Sequence, residues 1–167
     1  RKLPVSITID EDTPLTSLCV GSPRGAVVSP DGKQVAFTNR GEIFVASTEH
    51  KSAKRITNTV EGESDPAWAP DNRTLYYSSE RDGHFNIYRA TIARDADPNF
   101  SNATVIEETP VFDPKDNVDR TNPSISPDGK QMTFVEDRTR LMLYDFATKK
   151  TRQLTDGSTV ASRTKGF

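Results

Sequence analysis

The sequence is poor in the residues that most catalytic and metal-binding sites require. Its 167 residues include one cysteine, Cys19, and two histidines, His50 and His84. A single cysteine excludes an internal disulfide and a thiolate metal cluster. The segment also contains no apolar run of membrane-spanning length and no signal-peptide pattern. Nothing in this composition predicts a cofactor.

The low hydrophobic content and the lack of a basic face limit the folds and the partners that the sequence predicts. Hydrophobic residues make up 33% of the chain, and no window keeps them at the spacing of an amphipathic helix. The 22 basic and 24 acidic residues are interspersed and leave a net charge of −2, whereas a nucleic-acid surface requires a basic face. We therefore expect neither a helical fold nor a nucleic-acid partner.

The most prominent feature that is present is a nine-residue pattern used three times. It reads SPDGKQVAF at 29–37, APDNRTLYY at 69–77 and SPDGKQMTF at 126–134. Proline and aspartate suit the central positions of a type I turn, and the following glycine or asparagine tolerates positive φ. An apolar or aromatic run follows, so each repeat predicts strand, tight turn, strand. Three turn aspartates are expected to accept backbone hydrogen bonds: Asp31, Asp71 and Asp128.

The spacing of the repeats predicts the architecture. Pro30 and Pro70 are 40 residues apart, and Pro70 and Pro127 are 57 apart, so an insertion of 17 residues is expected near 94–115. Third strands are predicted at 42–47, 86–91 and 140–145, and fourth strands at 53–58, 103–108 and 151–156. Four short strands at a period near 40 residues are typical of a propeller blade. The predicted fold is all-β, a β-propeller fragment of about three four-stranded blades with an incomplete ring.

The repeat also predicts how the chain is divided. Residues 1–24 would hold the end of a preceding blade and a connector, 25–62 a blade, 63–120 a blade with the insertion, 121–157 a blade, and 158–167 the start of a further blade. A closed propeller needs about four to eight blades. We therefore expect a piece of a larger ring, which in isolation is marginally stable or self-associates through unpaired edges and apolar faces.

Longer stretches of the sequence resemble known propeller repeats. The run SPDGKQVAFTNRGEIFVAS, then AKRITNT, then ESDPAWAPDNRTLYYSSERDGHFNIYRA, is similar to the repeats of TolB translocation proteins and of tricorn-type proteases over about residues 25–157. The hairpin at 40–45, the strand end at 55–59 and the turn at 79–83 favour the tricorn-like family. The turn Asp71-Asn72-Arg73, which lacks glycine, and the insertion depart from the pattern.

The tricorn-like resemblance implies a noncatalytic segment of a larger serine peptidase, a scaffold that gates peptide substrates for proteolysis. Its partners would be a peptide or protein substrate, through the parent enzyme, and other domains of the same chain. The resemblance implies the periplasm or cell envelope of a bacterium, with the cytoplasm as the alternative location. Two other functions remain open: a TolB-like propeller that docks proteins at the cell envelope, and the propeller cap of a prolyl-oligopeptidase-like enzyme.

The sequence predicts no catalytic, cofactor-binding or metal-binding residue within this segment. Serine chemistry needs a base within hydrogen-bond reach, but His50 and His84 lie in predicted hairpin tips and are expected to be exposed. Ser162 and Lys165 have the Ser-x-x-Lys spacing, yet they lie in a segment predicted to be extended.

Two further groups of residues have a ligand-binding interpretation and a structural one. Residues 95–99 resemble the start of a calcium loop, but Phe100 and Ile106 stand where glycine and glutamate are needed, so a solvated insertion is favoured. Aromatic residues cluster in the second blade, where inter-blade packing is the favoured interpretation: Trp68, Tyr76, Tyr77, Phe85 and Tyr88. Tyr76 is the exception that could contact a ligand, because its column holds Ala36 and Thr133.

Overall fold

A computed structural model describes residues 23–155 as twelve β-strands in three antiparallel sheets of four strands each. Two short 3-10 turns are the only helical elements in that range, and no described helix is long or apolar enough to cross a membrane. The predictions on Cys19, Ser162, Lys165 and the two terminal segments fall outside the described residues. The all-β prediction is confirmed.

Each sheet contains four strands that follow one another in chain order. The first blade consists of β1 (Arg24–Val28), β2 (Gln34–Asn39), β3 (Glu42–Ser47) and β4 (Ala53–Arg55). The second consists of β5 (Glu63–Trp68), β6 (Thr74–Ser79), β7 (Asn86–Ile92) and β8 (Ile106–Pro110). The third consists of β9 (Arg120–Ile125), β10 (Gln131–Glu136), β11 (Arg140–Asp145) and β12 (Lys150–Thr155).

The predicted strand columns agree with these bounds at most positions. The predicted third strands at 42–47 and 140–145 coincide with β3 and β11. The fourth strand predicted at 103–108 is wrong, because β8 begins only at Ile106 and ends at Pro110. Ala103, which the prediction placed in that strand, is buried and lies in the loop before it.

The three proline turns have the predicted chemistry. The backbone N–H groups of Lys33 and Lys130 each donate to the turn aspartate two residues earlier, at 3.1 Å, and that of Arg73 does so at 2.9 Å. The residue after each aspartate has the predicted positive φ, with values of 75°, 58° and 71° at Gly32, Asn72 and Gly129. The repeated motif is therefore confirmed as three equivalent hairpin turns.

The blades stack face to face, and their core lies between them. The innermost strands β1, β5 and β9 contact one another in succession, and the three sheets do not close a ring within residues 23–155. Along β6 the side chains alternate, because successive residues of a strand point to opposite faces. Leu75 and Tyr77 pack against the first blade, and Tyr76 packs against the third. Inter-blade packing of the second-blade aromatics is therefore confirmed for Trp68, Tyr76, Tyr77 and Tyr88.

The insertion is only partly solvated: residues 93–96 and Pro98 are exposed, as predicted, whereas Phe100 and Ala103 are buried. The loop between β7 and β8 contains a 3-10 turn, Phe100–Asn102, and the Phe100 side chain is fully buried. Its ring lies edge-on to Trp68 at 5.6 Å, and its backbone N–H donates to Gln34 Oε1 of the first blade at 2.8 Å. One aromatic residue of this loop thus anchors the insertion across the first two blades.

We expect Phe100→Ala to destabilise the whole fold rather than the loop alone. Removal of a fully buried phenylalanine costs about 3–5 kcal/mol because a cavity remains. In urea unfolding followed by circular dichroism, the midpoint should fall substantially. Val105→Ala is the matched control in the same loop, since Val105 is 46% exposed and should change the free energy of unfolding by about 0.5 kcal/mol or less. Equal midpoints for the two variants would show that the loop does not hold the blades together.

Candidate functional site

The two histidines differ in their surroundings. His50 is exposed in the hairpin between β3 and β4, as predicted. The prediction that His84 is exposed is wrong, because its side chain is half-buried and its Nε2 atom is buried without a hydrogen-bond partner. Neither imidazole is hydrogen-bonded to a serine, threonine or cysteine side chain among residues 23–155. A nucleophile activated by histidine is therefore not assembled in this part of the chain.

The acidic residues of the insertion hold the loop together. Asp97 Oδ2 accepts hydrogen bonds from the backbone N–H and the hydroxyl of Thr104, at 2.7 and 2.8 Å, and these bonds hold the pKa of Asp97 below its usual value. Asn99 caps the 3-10 turn with its side-chain oxygen, 3.0 Å from the N–H of Asn102. Among the described residues, no group of three or more His, Cys, Asp or Glu side chains is placed to hold a metal ion.

Each innermost strand carries a bulge at the same place. Gly25, Asp65 and Asn122 all lie five residues before a turn proline, and their φ angles are 59°, 53° and 56°. At each of these points the register with the second strand of the blade shifts. This column was not predicted from the sequence, although its signal is present there: glycine, aspartate and asparagine are the residues that most readily adopt a left-handed conformation.

A cavity of about 620 Å³ opens between the first two blades at these bulges. Its lining carries two guanidinium groups, from Arg24 and Arg40, and two carboxylates, from Glu63 and Asp65. Thr38 also lines it, and both Thr38 Oγ1 and Glu63 Oε2 are buried atoms without a hydrogen-bond partner. A buried polar atom without a partner is costly and calls for an explanation. We refer to this space as the inner cavity.

A polar cluster in the second blade fixes the position of Glu63. The side chain of Glu63 is fully buried, and its Oε1 accepts from the hydroxyl of Ser79 at 3.1 Å and lies 3.4 Å from Arg81 Nη2. Arg81 also pairs with Glu108 of the outermost strand at 2.8 Å and lies over the ring of Tyr88 at 4.2 Å. These contacts link the inner and outer strands of the blade and fix the position of Glu63. Its Oε2 atom takes part in none of them.

Two phenols of this cluster have raised pKa values. Burial, followed by the hydrogen bond to Glu108, raises the pKa of Tyr77 well above its usual range. Burial, followed by the hydrogen bond to Asp82, raises the pKa of Tyr88 to about 12. The hydroxyl of Tyr88 donates to both oxygens of Asp82, at 2.9 and 2.8 Å. Both phenols are therefore neutral in the fold at physiological pH.

We expect stability to fall at alkaline pH through these phenols. In the unfolded chain the pKa of tyrosine is about 10. A tyrosine whose pKa is higher in the folded state stabilises the fold fully below the unfolded value. That contribution is lost as the pH rises through the folded pKa. For Tyr88 the affected window is from about pH 10 to about pH 12. Urea unfolding of Tyr88→Phe should show a lower stability at neutral pH and a shallower decline across that window. A decline as steep as that of the parent would contradict the assignment.

The strand order, the inter-blade core and the repeated turns together define a segment of a β-propeller built from four-stranded blades. The family model of the TolB beta propeller domain matches residues 16–164. The chain therefore belongs to the TolB beta propeller domain family. A search of curated proteins found no match.

Solved structures agree with this fold. TolB from Agrobacterium tumefaciens superposes with a TM-score of 0.62 at 22% identity, and TolB from Acinetobacter baumannii with a TM-score of 0.61 at 23% identity. These matches cover 77% and 79% of this chain, and 47% and 32% of those chains. The tricorn protease also matches, with a TM-score of 0.55 at 14% identity over 81% of this chain and 13% of that protein. The chain thus spans less than half the length of each of these proteins.

Proposed function

We propose that this chain is a noncatalytic, peptide-binding part of a propeller that docks other proteins at the bacterial cell envelope. The observation that carries the proposal is the inner cavity, with two buried oxygen atoms, Thr38 Oγ1 and Glu63 Oε2, that lack partners. Glu63 Oε2, as a carboxylate oxygen, can only accept a hydrogen bond, and Thr38 Oγ1 can accept one as well as donate one. A ligand that presents N–H donors would therefore satisfy both atoms. The cavity opens at the bulged inner strands, where a ligand can approach the backbone.

The balanced charge of the cavity favours a peptide main chain as the ligand. Arg24 and Arg40 supply donors for carbonyl oxygens, while Glu63 and Thr38 supply acceptors for N–H groups. A polyanion would be attracted by the two arginines and repelled by the carboxylates of Glu63 and Asp65. An extended peptide backbone offers donors and acceptors alternately, and it therefore matches both pairs at once.

The similarity to the TolB structures is greater than the similarity to the tricorn protease, and this favours docking over a role in proteolysis. The TolB structures match with higher TM-scores, and this chain covers 47% and 32% of them but 13% of the tricorn protease. A gating segment of a tricorn-like serine peptidase is the second candidate. It is supported by the tricorn structural match and by the insertion that joins the first two blades. A PDZ and peptidase region downstream in the parent gene would favour this second candidate.

Peptide binding can be tested with one isosteric substitution. We expect the chain to bind a fluorescein-labelled, N-acetylated and C-amidated decapeptide of alternating alanine and serine, measured by fluorescence anisotropy. Thr38→Val removes the unpartnered hydroxyl, so binding should weaken about threefold to tenfold, which corresponds to one hydrogen bond. The free energy of unfolding should stay constant or rise, since a buried hydroxyl without a partner is lost.

Two comparisons make the test specific. Thr151→Val on the exposed strand β12 is the matched control and should bind the decapeptide as the parent does. A backbone N-methylated decapeptide should bind more weakly to the parent, because its donors are blocked. Equal affinity of Thr38→Val and the parent would contradict the site. Cleavage of the decapeptide, detected by mass spectrometry and retained in repeated preparations, would contradict a noncatalytic role.

A further inference from the structure

A second cavity, of about 290 Å³, lies between the second and third blades, away from the inner cavity. We refer to it as the outer cleft. Its floor is aromatic: Phe146 lies 5.5 Å from the ring of Tyr76 and 5.3 Å from the ring of Tyr144. Its rim is formed by Arg89 of β7 and by Lys149 in the hairpin between β11 and β12.

The aromatic floor is not a requirement of the blade. The position of Tyr76 is occupied by Ala36 in the first blade and by Thr133 in the third, and both blades form without an aromatic residue there. Tyr76 is 7% exposed and lines both the outer cleft and an adjoining cavity of about 350 Å³. Tyr76 therefore packs against the third blade with a much larger side chain than this position has in the other blades, and it also forms part of the wall of the outer cleft.

The cations at the rim have no acidic partner among residues 23–155. Arg89 and Lys149 take part in no ion pair within 4.0 Å there, and Arg89 donates one hydrogen bond, to Thr109 Oγ1 at 3.3 Å. Arg89 lies close enough to Tyr76 and Tyr144 to oppose the rise that burial causes in the pKa of each phenol. No aspartate or glutamate is among the residues that line the outer cleft.

The acidic groups nearby lie outside the lining of the outer cleft. Asp145 is close enough for its charge to act on Tyr144, and two further aspartates line the adjoining cavity. Asp71 and Asp128 line that cavity beside Arg89. Both oxygens of Asp71 and the Oδ1 atom of Asp128 accept hydrogen bonds from N–H and hydroxyl groups of their own proline turns. Their charges repel an anion on that side. A negatively charged ligand is therefore directed toward Lys149 and away from the turns.

We propose that the outer cleft binds a peptide segment that presents acidic side chains next to an aromatic residue. The two rim cations complement two carboxylates, and the tyrosine and phenylalanine floor complements an aromatic ring. Tyrosine and arginine are among the residues that most often carry the binding energy of protein interfaces. The outer cleft contains both. Acidic side chains are favoured over a terminal carboxylate, because side chains line the cleft and terminal carboxylates are usually held by backbone N–H groups.

The test uses a fluorescein-labelled, N-acetylated and C-amidated peptide of sequence Gly-Glu-Phe-Glu-Gly and the intact chain. We expect binding by fluorescence anisotropy that weakens as the salt concentration rises, since exposed charges are screened. Arg89→Gln combined with Lys149→Gln should weaken binding about tenfold, as expected for two partly exposed ion pairs. Tyr76→Leu should weaken it as well, with little change in the salt dependence.

The controls separate this site from general charge effects and from the inner cavity. Lys51→Gln combined with Arg138→Gln removes one exposed lysine and one exposed arginine elsewhere, and it should change the affinity less than twofold. Thr38→Val should also bind the acidic peptide as the parent does, whether or not the inner cavity binds main chain. Equal binding of a Lys-Phe-Lys peptide, equal losses in both charge variants, or a requirement for a free C-terminal carboxylate would overturn the proposal.

Discussion

A four-stranded sheet of this size cannot cover its own faces, so each blade depends on the blade beside it. The second blade shows the constraint most clearly: all six residues of β6 are buried, because the first blade covers one face and the third covers the other. On the third blade, Leu141 and Leu154 are 36% and 40% exposed. The insertion strengthens the contact between the first and second blades, because Phe100 packs against Trp68 and its N–H donates to Gln34 of the first blade. Stability in this chain is therefore a property of pairs of blades.

Both candidate sites lie where this packing is incomplete. At the inner edge, the bulges at Gly25 and Asp65 move the backbone away from regular pairing and leave the inner cavity. Farther out, long side chains such as Arg89 and Lys149 border the outer cleft. The lining of the first is balanced in charge and that of the second is cationic. The two proposed sites therefore suit ligands of different charge although the chain has a net charge of −2, because local potentials and not the total charge govern what approaches each site.

The sequence predicts those parts of the fold that local chemistry determines. The turns follow from proline, aspartate and a residue that tolerates positive φ, and the strand columns follow from their spacing. The burial of Phe100 could not be predicted in the same way, because it depends on Trp68 and Gln34, which are distant in the chain. The column of Gly25, Asp65 and Asn122 was readable from residue type, but its connection with a cavity depends on the approach of two blades.

Charged residues at the start of the inner strands are required by the fold, whereas a charged residue at the edge of the inner cavity is not. Glu63 begins β5 and Arg120 begins β9, so the same position carries opposite charges in adjacent blades. Each is buried, and each is neutralised within its own blade: Glu63 lies near Arg81, and Arg120 pairs with Asp116 at 2.8 Å and Glu136 at 3.4 Å. A buried charge that loses its partner is strongly destabilising. The fold therefore constrains these charges as pairs. Arg40 is exposed at the cavity edge and has no ion pair among the described residues. Its charge can vary with the ligand, while its φ of 52° restricts this position to residues that tolerate a left-handed backbone.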